Sequence, residues 1–222
     1  LLLGRLAITM VVGYALLGNF NLKIKTILVL TIFVALLFLC YSGIEAYREV
    51  RIPGVLQRIG IVYFFVALLY LKTNQKTQLL IAAVLLLVYW GLMALVPVPG
   101  IGAANFDVNT NLAAWLDNKL LPGHLWIYTK TWDPEGLLST IPVIASGIIG
   151  LFIGQLLNRA LPRLEIIKSI VISGITMGII GLIWSFVVPI NKSIWTSSYV
   201  LYTSGLAILF LVFLCFVLFC WS

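Results

Sequence analysis

Charge is scarce in this chain. Only 9% of the residues are Asp, Glu, Lys or Arg, while 62% are hydrophobic and the mean hydropathy is +1.14; a soluble domain carries roughly 25% charged residues, so a water-soluble fold is excluded. Histidine occurs once and cysteine three times. Cys40, Cys215 and Cys220 all fall inside apolar runs, which favours small apolar packing over a disulfide framework. The sequence has no Walker-type phosphate loop, no dinucleotide glycine fingerprint and no His/Cys spacing for zinc or haem, so no metal is expected. Acids are missing from the apolar runs and no inverted repeat is evident, which argues against an ion-coupled transporter. The alternating polarity of lipid-exposed strands is also absent, leaving helices as the way to satisfy the backbone in lipid.

What the chain does have is long apolar runs. About 20 such residues cross a bilayer core of about 30 Å, and seven stretches qualify: 2–19, 26–44, 55–71, 78–96, 137–157, 168–189 and 198–220. The expected fold is all-α, a polytopic transmembrane bundle of about seven spans in which residues 1–222 form a single domain. Leu1 in place of Met, and an apolar run that stops at Ser222, suggest an incomplete copy of something longer. No cleavable signal peptide is read at the start, where Arg5 interrupts the run. The net charge of +7 is scattered over short loops, which fits membrane topology and not nucleic acid. If loops alternate sides, Lys23, Lys25, Lys72, Lys76, Arg159, Arg163 and Lys168 share one side, in short loops with Glu165 as the one acid. Arg5, Arg48, Arg51, Arg58, Lys119, Lys130 and Lys192 share the other, in longer loops with the remaining acids. Lysine and arginine in short loops near helix ends mark the cytoplasm, so the first set is placed there.

That orientation puts two polar islands on the external or lumenal side. One is Arg51-Ile-Pro-Gly-Val-Leu-Gln-Arg58; the other, Trp132-Asp-Pro-Glu-Gly-Leu-Leu-Ser139, repeats the design with acids, again at the mouth of an apolar run. Between them the connection 97–136 is too long to be an idle loop. Within it Asn111 to Leu121 reads as a short amphipathic helix with Leu112, Trp115, Leu116 and Leu120 on its apolar face. Trp126, Tyr128 and Trp132 follow as interfacial aromatics. The connection is expected to cap the bundle.

Each motif carries a plain reading beside the chemical one. Asp133-Pro134-Glu135 suits a helix start, with Asp as N-cap and Pro in the first turn; its acids also suit acid-base work beside His124. Arg51 and Arg58 suit snorkelling or pairing with Glu45, Glu49, Asp133 or Glu135, or binding an anion inside the bundle. His124 alone suits a solvated or hydrogen-bonded loop side chain, and Lys192 a solvated lysine. Gly150/Gly154 and Gly174/Gly178 are small-xxx-small pairs that predict close helix contacts. The hydroxyls of residues 193–198 predict a cap for the last helix.

Taken together, Arg51-Ile-Pro-Gly-Val-Leu-Gln-Arg58, Leu95-Val-Pro-Val-Pro-Gly100, Asn111-Leu-Ala-Ala with Gly123-His-Leu125, Trp132-Asp-Pro-Glu-Gly-Leu-Leu-Ser-Thr-Ile-Pro142 and Val188-Pro-Ile-Asn-Lys-Ser-Ile-Trp195 followed by Ser198-Tyr-Val200 resemble the heparan-alpha-glucosaminide N-acetyltransferase family and its bacterial relatives, in the family's order. The resemblance covers most of 45–205. It implies a membrane acyltransferase, in a bacterial inner membrane, that moves an acetyl group from cytosolic acetyl-CoA to a sugar amine or hydroxyl across the bilayer. On that implication Glu135 and Asp133 are the catalytic candidates. Arg51, Arg58, Gln57, His124 and Lys192 are candidates for substrate binding, and Lys72 and Lys76 for the phosphates of CoA. In family members the histidine held to be catalytic lies between the first two spans, a position upstream of Leu1, so His124 does not replace it. Further spans usually follow the position of Ser222. A rival expectation is a noncatalytic accessory or structural subunit of a larger membrane complex built on the same scaffold. The partners expected in either case are the bilayer and, for the enzyme, a glycan acceptor, with a homo-oligomer as a further expectation.

Overall fold

The computed structural model describes residues 51–220 continuously, preceded by residues 21, 23, 24, 27, 28, 31, 34, 35 and 38. Among the described residues there is no strand, and the order is α1 Val55–Lys72, α2 Gln75–Leu95, α3 Leu112–Leu120, α4 Thr140–Leu157, α5 Arg163–Trp184 and α6 Ser197–Cys220. All except α3 are long and apolar enough to cross a membrane, and the chain is that of an integral membrane protein. Five of the seven expected spans correspond to these helices. The span at 2–19 lies outside the described residues, and so does most of that at 26–44, where residues 23, 24, 27, 28, 31, 34, 35 and 38 are helical.

Helix ends follow local chemistry. The Asn74 carboxamide accepts the Thr77 N–H at 2.9 Å and starts α2, two residues after α1 ends. Helix α5 begins at Arg163, about a turn and a half earlier than expected, because Pro162 stands at its N-cap and Glu165 and Lys168 pair at the surface. It ends at Trp184, where residues 185–187 turn away. α4 sits at the centre, packed on α1, α2, α5 and α6. Its buried face of Pro142, Ala145, Ile148, Ile149, Ile153 and Leu156 has helical spacing, as does the α2 stripe of Gln78, Ala82, Leu86, Tyr89 and Met93.

Small residues bring α5 and α6 into backbone contact. A methyl added at Gly205 would fall within 3 Å of the Gly174 and Gly178 backbone, and one at Gly181 within 3 Å of the Tyr202 backbone. The pair Gly174/Gly178 is therefore part of a close seam. Gly150 and Gly154 are not: a methyl at either meets nothing within 4 Å. Their spacing matches the motif, but among the described residues no helix lies against that face.

The connection 96–139 folds over one end of the bundle, where α1, α4 and α6 begin and α2 and α5 finish. α3 is capped by Asn111, whose side chain accepts the Ala114 N–H at 2.9 Å and donates to the Asp107 carbonyl at 2.6 Å. Its buried face is Ala113, Ala114 and Asp117, while Leu120 is half exposed. Of the expected face, Leu112, Trp115 and Leu116 are half-buried, Leu112 packing beside Tyr89 and Met93, and Leu120 is exposed, so the buried stripe is centred on the alanines and not on the leucines. The alanines allow α3 to sit closer to the bundle than a leucine face would, and Ala113 packs with Tyr89, Met93 and Ile194.

Candidate functional site

Two segments more than 80 residues apart meet beneath this connection. The Arg51 guanidinium grips Asp133 with two bonds, Nε to Oδ2 at 2.8 Å and Nη2 to Oδ1 at 2.5 Å, and Nη2 also reaches Glu135 Oε2. The two-pronged geometry matches guanidinium to carboxylate and is the strong form of the pair. Pairing with Asp133 holds Arg51 still further up its basic range, against the opposing pull of burial. Its other face lies over Trp126, 5.5 Å from the ring centre. The Ile52 N–H donates to the His124 carbonyl at 2.9 Å, so the loop that carries His124 is stitched to the arginine motif through its backbone.

Asp133 does not cap a helix. Its Oδ1 accepts the Glu135 N–H at 2.9 Å and its carbonyl accepts the Gly136 N–H, closing a tight turn. α4 begins only at Thr140. With its side chain fully buried and both oxygens bound, Asp133 is an anchor. Glu135 differs: one oxygen is held by Arg51, and the side chain keeps 19% of its exposure.

Arg58, 6% exposed, lies one turn into α1 and has no carboxylate within ion-pair distance among the described residues. It donates instead to the Pro134 carbonyl at 2.9 Å, the Ser139 carbonyl at 2.6 Å and the Ser139 hydroxyl at 3.2 Å. Its Nε is buried without a partner among the described residues, and its guanidinium carbon stands 4.7 Å over the Trp195 ring. Trp195 holds that position with a left-handed backbone, φ 53, a conformation bulky residues adopt only under constraint. The constraint comes from the buried run Thr196-Ser197-Ser198. Ser197 donates to the Leu86 carbonyl and Ser198 to that of Val188, each at 2.7 Å, and Thr196 to that of Pro189 at 2.8 Å. These hydroxyls pin loops to α2 and to each other by giving protons to carbonyls. They do not cap the N–H groups of α6, as the sequence had suggested. The Tyr89 hydroxyl adds a bond to the Ile194 carbonyl.

The sequence reading missed Asp117. It is 1% exposed, its Oδ1 accepts the Leu137 N–H at 2.9 Å, and burial pushes its carboxyl up to about 7. Asp117 also explains Gly136, since a methyl there would sit inside contact distance of the Asp117 carboxyl. A cavity of about 10 Å³, lined by Asn111, Asp117, Trp132, Asp133, Ser139 and Ser193 among others, adjoins it; that is room for about one water. The signal available in the sequence was an acid sharing one helical face with Ala113 and Ala114.

The remaining candidates scatter. Gln57 folds back over the first turn of α1, its carbonyl oxygen occupying the space beside Gly54. His124 is buried in the loop stitched to Ile52. Lys192 is exposed and outside the cluster. Lys72 and Lys76 are exposed at the opposite end of the bundle.

No family model matches the chain. Among curated proteins it is similar to heparan-alpha-glucosaminide N-acetyltransferase of Homo sapiens, 29% identical with 78% of this chain and 34% of that protein covered. It is also similar to the protein of the same name in Mus musculus, at 28% with the same coverage. The relationship is distant, and the chain spans about a third of the length of the curated relatives it matches. It makes the chain acetyltransferase-like at the level of a coarse family.

Proposed function

We propose that this chain supplies the acceptor-side pocket of a membrane acyltransferase, taking an acetyl group that originates on cytosolic acetyl-CoA and delivering it to a sugar amine or hydroxyl on the external side, in a bacterial inner membrane. The observation that carries the reading is the meeting of Arg51, Asp133, Glu135 and Arg58 under a folded cap in an otherwise apolar bundle. Charge held inside a membrane domain marks function by default, and the distant relatives carry an acetyltransferase name.

Acyl transfer needs a base to take the acceptor's proton and donors for the oxygen that becomes negative. Glu135 suits the base. Arg51 fixes one of its oxygens, the other makes no hydrogen bond among the described residues, and the side chain is partly open. Asp133 keeps Arg51 aimed, and Arg58 brings positive charge that pairs directly with no carboxylate among the described residues. Acetyl-CoA supplies the activated acyl group. Lys72, Lys76, Arg159 and Arg163, gathered at the other end, suit attraction of its phosphates. The connection 97–136 serves as the external cap of a single transmembrane domain.

Glu135→Gln in the full-length protein tests the reading. Acetyl transfer falls about 10²-fold or more, the usual weight of a general base, with expression and folding kept. Unchanged turnover removes Glu135 from the mechanism.

A further inference from the structure

Glu135 rides on a turn that is held from outside at both of its ends. The peptide joining Pro134 to Glu135 is gripped on each side: its N–H donates to Asp133 Oδ1 at 2.9 Å, and its carbonyl accepts Arg58 Nη1, also at 2.9 Å. At the far end of the turn, Arg58 Nη2 donates to the Ser139 carbonyl at 2.6 Å and to the Ser139 hydroxyl at 3.2 Å. That hydroxyl has one proton to give, and its nearer acceptor is the Gly136 carbonyl at 3.1 Å. A single guanidinium therefore closes the turn along its length, from the residue before Glu135 to the residue before α4.

The reach of that guanidinium is set lower in the bundle. Arg58, Val62 and Val66 share one face of α1, each a helical turn from the next. A methyl at Gly147 of α4 would come within 3 Å of both valine side chains. The absent side chain lets α1 lie close against α4, and this contact delivers Arg58 to the Pro134 and Ser139 carbonyls. Two guanidinium nitrogens are committed to the turn, and Nε is buried. These bonds go to the backbone on either side of Glu135, so Arg58 acts on it through the chain that carries it. Lysine cannot copy the arrangement, because one ammonium lacks the rigid fork that spans two carbonyls.

We propose that Arg58 is a positioning residue for Glu135: it clamps residues 134–139 from α1 and so fixes the direction in which the carboxylate meets the acceptor, with the contact at Gly147 setting the clamp. Arg51 holds one carboxylate oxygen, and Arg58 holds the backbone beneath it. The rate effect rests on the reading of Glu135 as the base, and misplacing such a group by about 1 Å can cost about 10²-fold. The clamp itself is measured without turnover.

The test uses the full-length protein in lipid nanodiscs. The Glu135 and Gly136 amides, both bonded to Asp133, exchange hydrogen about tenfold faster or more in Arg58→Lys, as for any locally loosened segment. The Thr77 amide, bonded to Asn74 at the opposite end, keeps its rate. Unchanged exchange at Glu135 and Gly136 overturns the proposal. For rate, Arg58→Lys lowers kcat of acetyl transfer about 10²-fold, with KM for acetyl-CoA kept within about twofold. It adds no further loss where Glu135 is already replaced by Gln, because residues that act as a unit are non-additive. A merely structural residue would lower kcat equally in both backgrounds, and equal losses overturn the proposal. If the lysine variant does not fold, Ser139→Ala, which removes the hydroxyl link alone, runs the same exchange measurement and the same cycle on a smaller scale. Full turnover in Glu135→Gln by itself overturns the base reading and with it the effect on rate, while the exchange rates decide the clamp independently.

Discussion

At the capped end of the bundle, buried polarity includes ionisable groups: Arg51 bridges Asp133 and Glu135, while Arg58 and Asp117 sit almost wholly out of solvent. At the opposite end, the polar groups between α1, α2 and α4 are neutral amides. Gln155 donates to Gln78 at 3.0 Å, and Gln78 donates to the Thr73 and Leu69 carbonyls that finish α1, at 3.1 and 3.3 Å. The charges of that end, Lys168 and Glu165, are more than half exposed, and Arg159 reaches Gln75 at the surface. Amides suffice to clasp helices. Among the described residues charge is buried at one end alone, which points to a demand other than packing, because desolvated ions seldom repay their burial as stability.

Three substitutions sharpen this contrast. Arg58→Leu should have the largest effect, about 3 kcal/mol or more, because it strands the Pro134 and Ser139 carbonyls as unpaired buried acceptors; thermal unfolding in lipid nanodiscs reads the loss. A loss below about 1 kcal/mol would mean that water serves those carbonyls. Gly136→Ala comes next, at about 1–3 kcal/mol for overpacking against Asp117, measured the same way, and it lowers acetyl transfer by shifting the turn that carries Glu135. Gln78→Leu should be the mildest, about 0.6 kcal/mol, typical of an interhelical hydrogen bond in a membrane, with acetyl transfer unchanged. A large loss of transfer in that variant would break the distinction between the two ends.

The spans were legible because long apolar runs in this chain have few alternatives, and five of them became helices within about a turn and a half of the expected ends. The approach of Arg51 to Asp133 was legible as one option among several, since a guanidinium at the mouth of a bundle needs a partner. Less could be read where two chemistries compete for one residue. Asp133-Pro134-Glu135 has the composition of a helix start, yet Arg51 takes the carboxylate that would have capped it, and the helix starts later, at Thr140. In α3, hydrophobicity pointed to the leucine and tryptophan face, but small size decided which face came inward. Asp117 was hidden by that same misjudgement, being buried only if the alanines are. Gly150 and Gly154 match a spacing rule that is silent on which neighbour is present.

The left-handed backbone at Trp195 has one more consequence. A bulky residue there holds roughly 1–3 kcal/mol of conformational strain, restrained by the hydroxyls of Thr196, Ser197 and Ser198. The place of the indole over the guanidinium is thus secured from behind, by hydroxyls that do not themselves touch Arg58.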